Sequence, residues 1–166
     1  MNRTLRTAAL LLTGPVVLGL GLAAAGPASA AASAAARAVV CATTSPIVVN
    51  GFAFAPAQVK PGETATADLI TSNCSASTIA TVQQWTGQWL TPTGTGPAAG
   101  CPVIDPLVRD VTYSPGEELA QNTAYSVPAA CTATELAVTV KITLPAGSGG
   151  TVVTATADLR IAQTSG

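Results

Sequence analysis

Four cysteines (Cys41, Cys74, Cys101 and Cys131), two tryptophans (Trp85 and Trp89) and eight carboxylates are the residues here whose types could do chemistry; histidine is absent. That absence removes the Ser-His-Asp and Cys-His nucleophile systems, the usual imidazole base, and His-ligated zinc or copper. The chain has no Gly-rich phosphate loop, no Ser-x-x-Lys motif and no G-x-S-x-G elbow. A glycosidase needs only two suitably spaced carboxylates. Asp105 and Asp110 lie near the long loop at 91–106, and Glu117 and Glu118 follow a turn. They read as solvated loop and edge charges, with no neighbour that would perturb them. Calcium needs several converging oxygen ligands, and no Asp-x-Asp-x-Asp run occurs. The expectation is a non-enzymatic protein with no catalytic residue, no metal and no cofactor.

The cysteines are the stronger signal. An even number in a small exported domain argues for two disulfides among three possible pairings. Zinc is the rival, but the spacings are wide and no Cys-x-x-Cys pair exists. Choosing a pairing requires the elements that carry the cysteines.

Short apolar stretches recur between turn signals, without a long 3.6-residue stripe, which predicts an all-β domain. The predicted strands are residues 47–54, 64–72, 77–90, 107–113, 119–127, 134–144 and 151–161. Lys60-Pro61-Gly62-Glu63 is a type II turn: proline sets φ at the first central position and glycine supplies positive φ at the second. Ser114-Pro115-Gly116-Glu117 repeats that chemistry. Leu136, Val138, Val140, Ile142 and Leu144 alternate onto one face of the sixth strand, as do Val153, Ala155, Ala157, Leu159 and Ile161 in the seventh. A Gly-rich loop at 146–150 joins these two as a hairpin. The last five residues read as a frayed tail. Seven strands in about 115 residues match an immunoglobulin-like antiparallel β-sandwich.

Successive antiparallel strands place successive loops at alternate ends. Cys41 and Cys74 then fall at one end, and Cys101 and Cys131 at the other. A disulfide needs Cα atoms within about 7 Å, so the expected pairs are Cys41–Cys74 and Cys101–Cys131.

The stretch "PAQVKPGETATADLITSNCSAST" resembles the start of bacterial extracellular Ig-like repeats of the CARDB-type adhesion modules: a Pro-Gly turn, an alternating strand, then Asn and a polar turn. The resemblance covers roughly residues 56–80. It implies a sandwich used as a spacer or binding unit. The chain departs from that pattern in its four cysteines. Asn73-Cys74-Ser75 fits the glycosylation sequon and is read as chance.

In the third strand Ile79, Thr81, Gln83, Trp85, Gly87 and Trp89 share one face, while Ala80, Val82, Gln84, Thr86, Gln88 and Leu90 share the other. Neither face is purely apolar. Sandwiches of this type commonly bury a tryptophan here, and Trp85 suits that role. Gly87 would mark a bulge that turns Trp89 outward beside Gln88 and the loop at 91–106. An exposed Trp89, with Gln84, Gln88 and Tyr113 as polar helpers, would stack on a pyranose. The reading preferred over this one is that Trp89 covers the base of that loop, since tryptophan is usually largely buried.

Arg3 and Arg6, an apolar run and Ala28-Ser29-Ala30 compose a secretory signal over residues 1–30, with an Ala-rich leader at 31–40. The sandwich would fill 41–162, followed by a tail at 163–166. The net charge is −1 with only 9% charged residues, so no basic patch favours nucleic acid. No second long apolar stretch predicts a membrane span. The Ala/Thr/Gly/Pro-rich composition resembles secreted proteins of actinomycetes. The expectation is a secreted Ig-like binding or structural module whose extracellular partner is a surface protein or polysaccharide. Two alternatives are a carbohydrate-binding module built on Trp89, and a small inhibitor or effector using the loop at 91–106.

Overall fold

The computed structural model describes residue 41 and residues 45–93, 98–148 and 150–163. The signal, the leader and the last three residues lie outside these. Among the described residues eight strands form two sheets: β1 (Ile47–Ala55), β2 (Gln58–Val59), β3 (Thr64–Asn73), β4 (Ile79–Leu90), β5 (Leu107–Tyr113), β6 (Glu118–Ser126), β7 (Glu135–Thr143) and β8 (Val152–Ile161). One sheet has the order β1-β3-β6 and the other β2-β8-β7-β4-β5. All neighbours are antiparallel except β2 and β8.

The extra strand corrects the expected count of seven. After the cis Ala55–Pro56 bond the chain leaves β1 and lays Gln58 and Val59 alongside Arg160 and Ile161 of the other sheet. Two residues are too short for any periodicity to register. The expected frayed tail is also corrected at its start, because Ala162 donates its N–H to Val59 and Gln163 reaches the carbonyls of Cys131 and Ala133.

The two Pro-Gly turns use one device. Gly62 (φ 93°) and Gly116 (φ 70°) take the positive-φ position. The N–H of each following glutamate closes the turn, Glu63 onto Lys60 O and Glu117 onto Ser114 O, both at 3.1 Å. Each glutamate carboxylate then accepts the first residue's N–H, at 2.7 Å for Lys60 and 2.6 Å for Ser114. Both glutamates therefore stabilise turns.

Alternation sorts side chains into the space between the sheets. Leu136, Val138, Val140 and Ile142 from β7, Ala157, Leu159 and Ile161 from β8, and Ala65, Ala67 and Leu69 from β3 are buried there. The disulfides are Cys41–Cys74 (Cα–Cα 5.4 Å) and Cys101–Cys131 (4.5 Å), the pairing that follows from loops at alternate ends. The first ties the chain before β1 to the end of β3. The second ties the β4–β5 loop to the β6–β7 loop.

Candidate functional site

The inner face of β4 carries Gln83, Trp85 and Trp89. Pairing of β4 with β7 runs without a register shift from Val82 to Leu90. The bulge expected at Gly87 is therefore absent; the irregularity lies in β1, between Val49 and Gly51. Gly87 serves another purpose. A Cβ there would stand 2.7 Å from Cδ1 of Ile104, so the missing side chain is the seat of Ile104. Without a bulge, parity is conserved and Trp89 stays on the same face as Trp85. This corrects the outward-turned Trp89.

Trp85 is 1% exposed. The Phe52 ring meets it edge-on, with centroids 5.4 Å apart, and the Arg109 guanidinium carbon lies 5.3 Å from its centroid. Arg109 also donates to Asn122 O (3.3 Å) and Thr123 Oγ1 (3.0 Å). It thus bridges β5 and β6, the edge strands of opposite sheets. A cation–π contact beside two acceptors suits this planar, delocalised side chain.

Gln83, also fully buried, organises the polar groups between the sheets. Its Nε2 donates to Tyr113 Oη and Gln121 Oε1, both at 2.7 Å, and its Oε1 accepts from Trp85 Nε1 at 3.3 Å. Tyr113 Oη lies 3.0 Å from Thr71 Oγ1, which reaches Leu119 O at 3.4 Å. Among the described residues no buried side-chain polar atom lacks a partner. Burial pushes the Tyr113 phenol above its ordinary range, partly offset by the hydrogen bonds from Thr71 and Gln83. Tyr113 is thus a core residue, which corrects its expected role as a ligand-facing helper. Gln84 and Gln88 are exposed on the opposite face of β4. The structure therefore does not bring Trp89, Gln84, Gln88 and Tyr113 together.

Asn73 explains its sequon. Its buried Nδ2 donates to Ser77 O (2.8 Å) and Ser114 O (3.0 Å), and its Oδ1 accepts from Ser75 N and Oγ. The side chain holds two loops together, leaving no amide for a glycan.

At the Cys101–Cys131 end, five contacts fix residues 99–104. Gly100 (φ 69°) lies so close to the chain at Ala130 that a Cβ would stand 2.0 Å from its carbonyl oxygen. Next to it the disulfide joins Cys101 to buried Cys131, and Thr132 N donates to Ala99 O at 2.9 Å. Trp89, half-buried against the core, donates its indole N–H to Pro102 O at 2.7 Å. Ile104 packs over Gly87. Between these anchors Val103 is 89% exposed. Residues 101–106 belong to no strand, and among the described residues no backbone-to-backbone hydrogen bond ties them to the scaffold. The loop as a whole was legible from its Gly, Pro and Cys content; the single protruding residue was not. Among the described residues no three or more carboxylates or cysteines converge to hold a metal.

No protein-family model matches the chain, and no curated protein matches it. Among solved structures it is similar to the Pseudomonas fluorescens alkylpurine DNA glycosylase AlkC bound to DNA containing an abasic site analog. The identity there is 12% and the TM-score 0.50, covering 72% of this chain and 31% of that one. It is also similar to Spo0M, a sporulation control protein from Bacillus subtilis, at 14% identity and TM-score 0.36, covering 69% of this chain and 47% of that one. The chain thus spans less than half of either neighbour, and the first likeness is one of fold alone.

Proposed function

We propose that this chain is a secreted, non-enzymatic binding module of immunoglobulin-like type that meets an extracellular partner through the disulfide-anchored segment at 101–106. The observation that carries this reading is Val103, exposed at 89% on a segment braced by a disulfide, an indole hydrogen bond and a packed isoleucine. An apolar side chain presented by a fixed backbone binds without a large ordering cost. Two intramolecular disulfides suit an oxidising, extracellular compartment, in keeping with the basic and apolar N-terminal segment. A sugar platform centred on Trp89 has less support, because its N–H is already donated, Tyr113 is buried, and Gln84 and Gln88 face elsewhere.

The test compares retention of the labelled mature domain on washed actinomycete cells and on their concentrated culture fluid. Three proteins are used: wild type, Val103→Asp, and Gln84→Asp/Gln88→Asp. Loss with Val103→Asp alone supports the reading. Equal retention of all three, or loss only with the glutamine variant, refutes it. Export is tested by N-terminal sequencing of the secreted product, which should begin near Ala31 or Val39.

A further inference from the structure

We infer that the segment 101–104 is a substrate-like inhibitory strand for a serine endopeptidase with a small aliphatic specificity pocket, in which Val103 fills the pocket and the Val103–Ile104 bond lies across the catalytic serine. This rests on the reading that the loop at 101–106 is the binding surface.

Three features carry it. The first is the side chain. Val103 protrudes while both neighbours are engaged, Pro102 through its carbonyl and Ile104 through its packing. A valine is too short for a pocket built for an aromatic ring or a cation, and it fills one built for small aliphatic groups. The second is the main chain. An endopeptidase reads its substrate as a short added strand, through backbone N–H and C=O groups. Among the described residues the N–H and C=O of Val103 itself have no scaffold partner, while the Pro102 carbonyl is taken by Trp89.

The third feature decides inhibitor against substrate, and it is the clamp on both sides of the bond. Attack by the serine Oγ on the Val103 carbonyl carbon forms an acyl bond and breaks the bond to Ile104 nitrogen. The serine proton passes through the enzyme's own base to that nitrogen. In a flexible substrate the amine then diffuses away and water completes the hydrolysis. Here the acyl side is held by Cys101–Cys131 and by Pro102 O on Trp89, and the amine side by Ile104 over Gly87. The amine stays in place to attack the acyl carbon and reseal the bond. Such preorganisation turns a cleavable sequence into a tight binder. Residues 98–104 carry no charge, which matches an apolar pocket rather than an anionic or cationic one.

The experiment titrates the oxidised mature domain into three serine endopeptidases, of elastase, chymotrypsin and trypsin specificity, reading residual activity on a chromogenic peptide. The elastase type should be inhibited about 100-fold more strongly than the other two. Val103→Lys should lose about 100-fold on the elastase type and gain on the trypsin type. An exposed position makes that variant safe for folding, and circular dichroism checks it. Trp89→Phe, which keeps the packing but loses the N–H, should weaken inhibition about 10-fold and speed cleavage at Val103–Ile104, seen by mass spectrometry. The inference is overturned if no enzyme is inhibited at about 100 µM, far above the affinity range of such complexes. It is equally overturned if Val103→Lys changes nothing, or if the domain is cleaved as an ordinary substrate. Should inhibition be absent while Val103→Asp still abolishes retention on cells or culture fluid, only this inference fails. If both effects are absent, the loop-binding reading fails with it.

Discussion

Replacing Gln83 with methionine removes the side chain on which the polar groups between the sheets converge, at nearly constant volume. Three hydrogen bonds go, but they do not count equally. The Trp85 N–H, on a side chain 1% exposed, has no other acceptor among the described residues and is left buried and unpaired, a loss of about 1–3 kcal/mol. Tyr113 keeps Thr71, and half-buried Gln121 can turn toward water, so each counts for about 0.5 kcal/mol. Burying a thioether in place of an amide returns about 1 kcal/mol. The net expectation is about 2 kcal/mol of destabilisation, or a Tm lower by roughly 8 °C for a domain of this size. The assay is thermal unfolding of the oxidised domain near neutral pH, with Gln84→Met as the control. Gln84 is one residue away on the solvent face, and its substitution should stay within about 0.5 kcal/mol of wild type. A Gln83→Met protein as stable as wild type, or a control that loses as much, would refute the idea that this network is satisfied and stabilising.

Gly87→Ala should push Ile104 from its seat, since the new Cβ would meet Cδ1 at 2.7 Å; the expected loss is about 1 kcal/mol, with amide shifts spreading through residues 102–106 in NMR spectra. Chain entropy makes the two disulfides nearly equal, because their sequence separations are 33 and 30, and each paired Cys→Ala variant should lose about 3.7 kcal/mol in urea unfolding. The Cys101/Cys131 variant should lose somewhat more, since Cys131 is buried in the core, and a smaller loss there would contradict that placement. Burial raises the phenol pKa of both Tyr113 and Tyr125 above 10.0, in Tyr125 against an opposing pull from Arg109. A native pKa above the unfolded one means the unfolded chain releases protons first. The stability contributed by the neutral phenols is therefore complete below pH 10 and falls as pH rises above it. Tyrosinate absorbance at 295 nm should rise together with unfolding by circular dichroism rather than before it.

What the sequence determined by itself is what local chemistry dictates. Period-2 alternation in residues 134–144 and 151–161 named the buried face of β7 and β8, because a strand's side chains point alternately whatever it packs against. The Pro-Gly-Glu turns were legible for the same reason: a fixed proline φ and a glycine at positive φ leave the chain little choice. The disulfide pairing followed from counting turns, since antiparallel order fixes which loops share an end. The shared parity of Trp85 and Trp89 follows from the same alternation. What that parity meant belonged to the tertiary structure. A face carrying Thr81 and Gln83 read as a poor core face, because alternation cannot show that Tyr113, Thr71 and Gln121 arrive from three other strands to satisfy it. Gly87 read as a bulge because the residue occupying its empty space, Ile104, comes from a loop beyond the strand. Val103 looked like its neighbours until Trp89, the Cys101–Cys131 bridge and Ile104 were seen to hold everything around it. Local geometry is set by neighbours in the chain, whereas satisfaction and exposure of a side chain are set by whatever the fold brings to it from elsewhere.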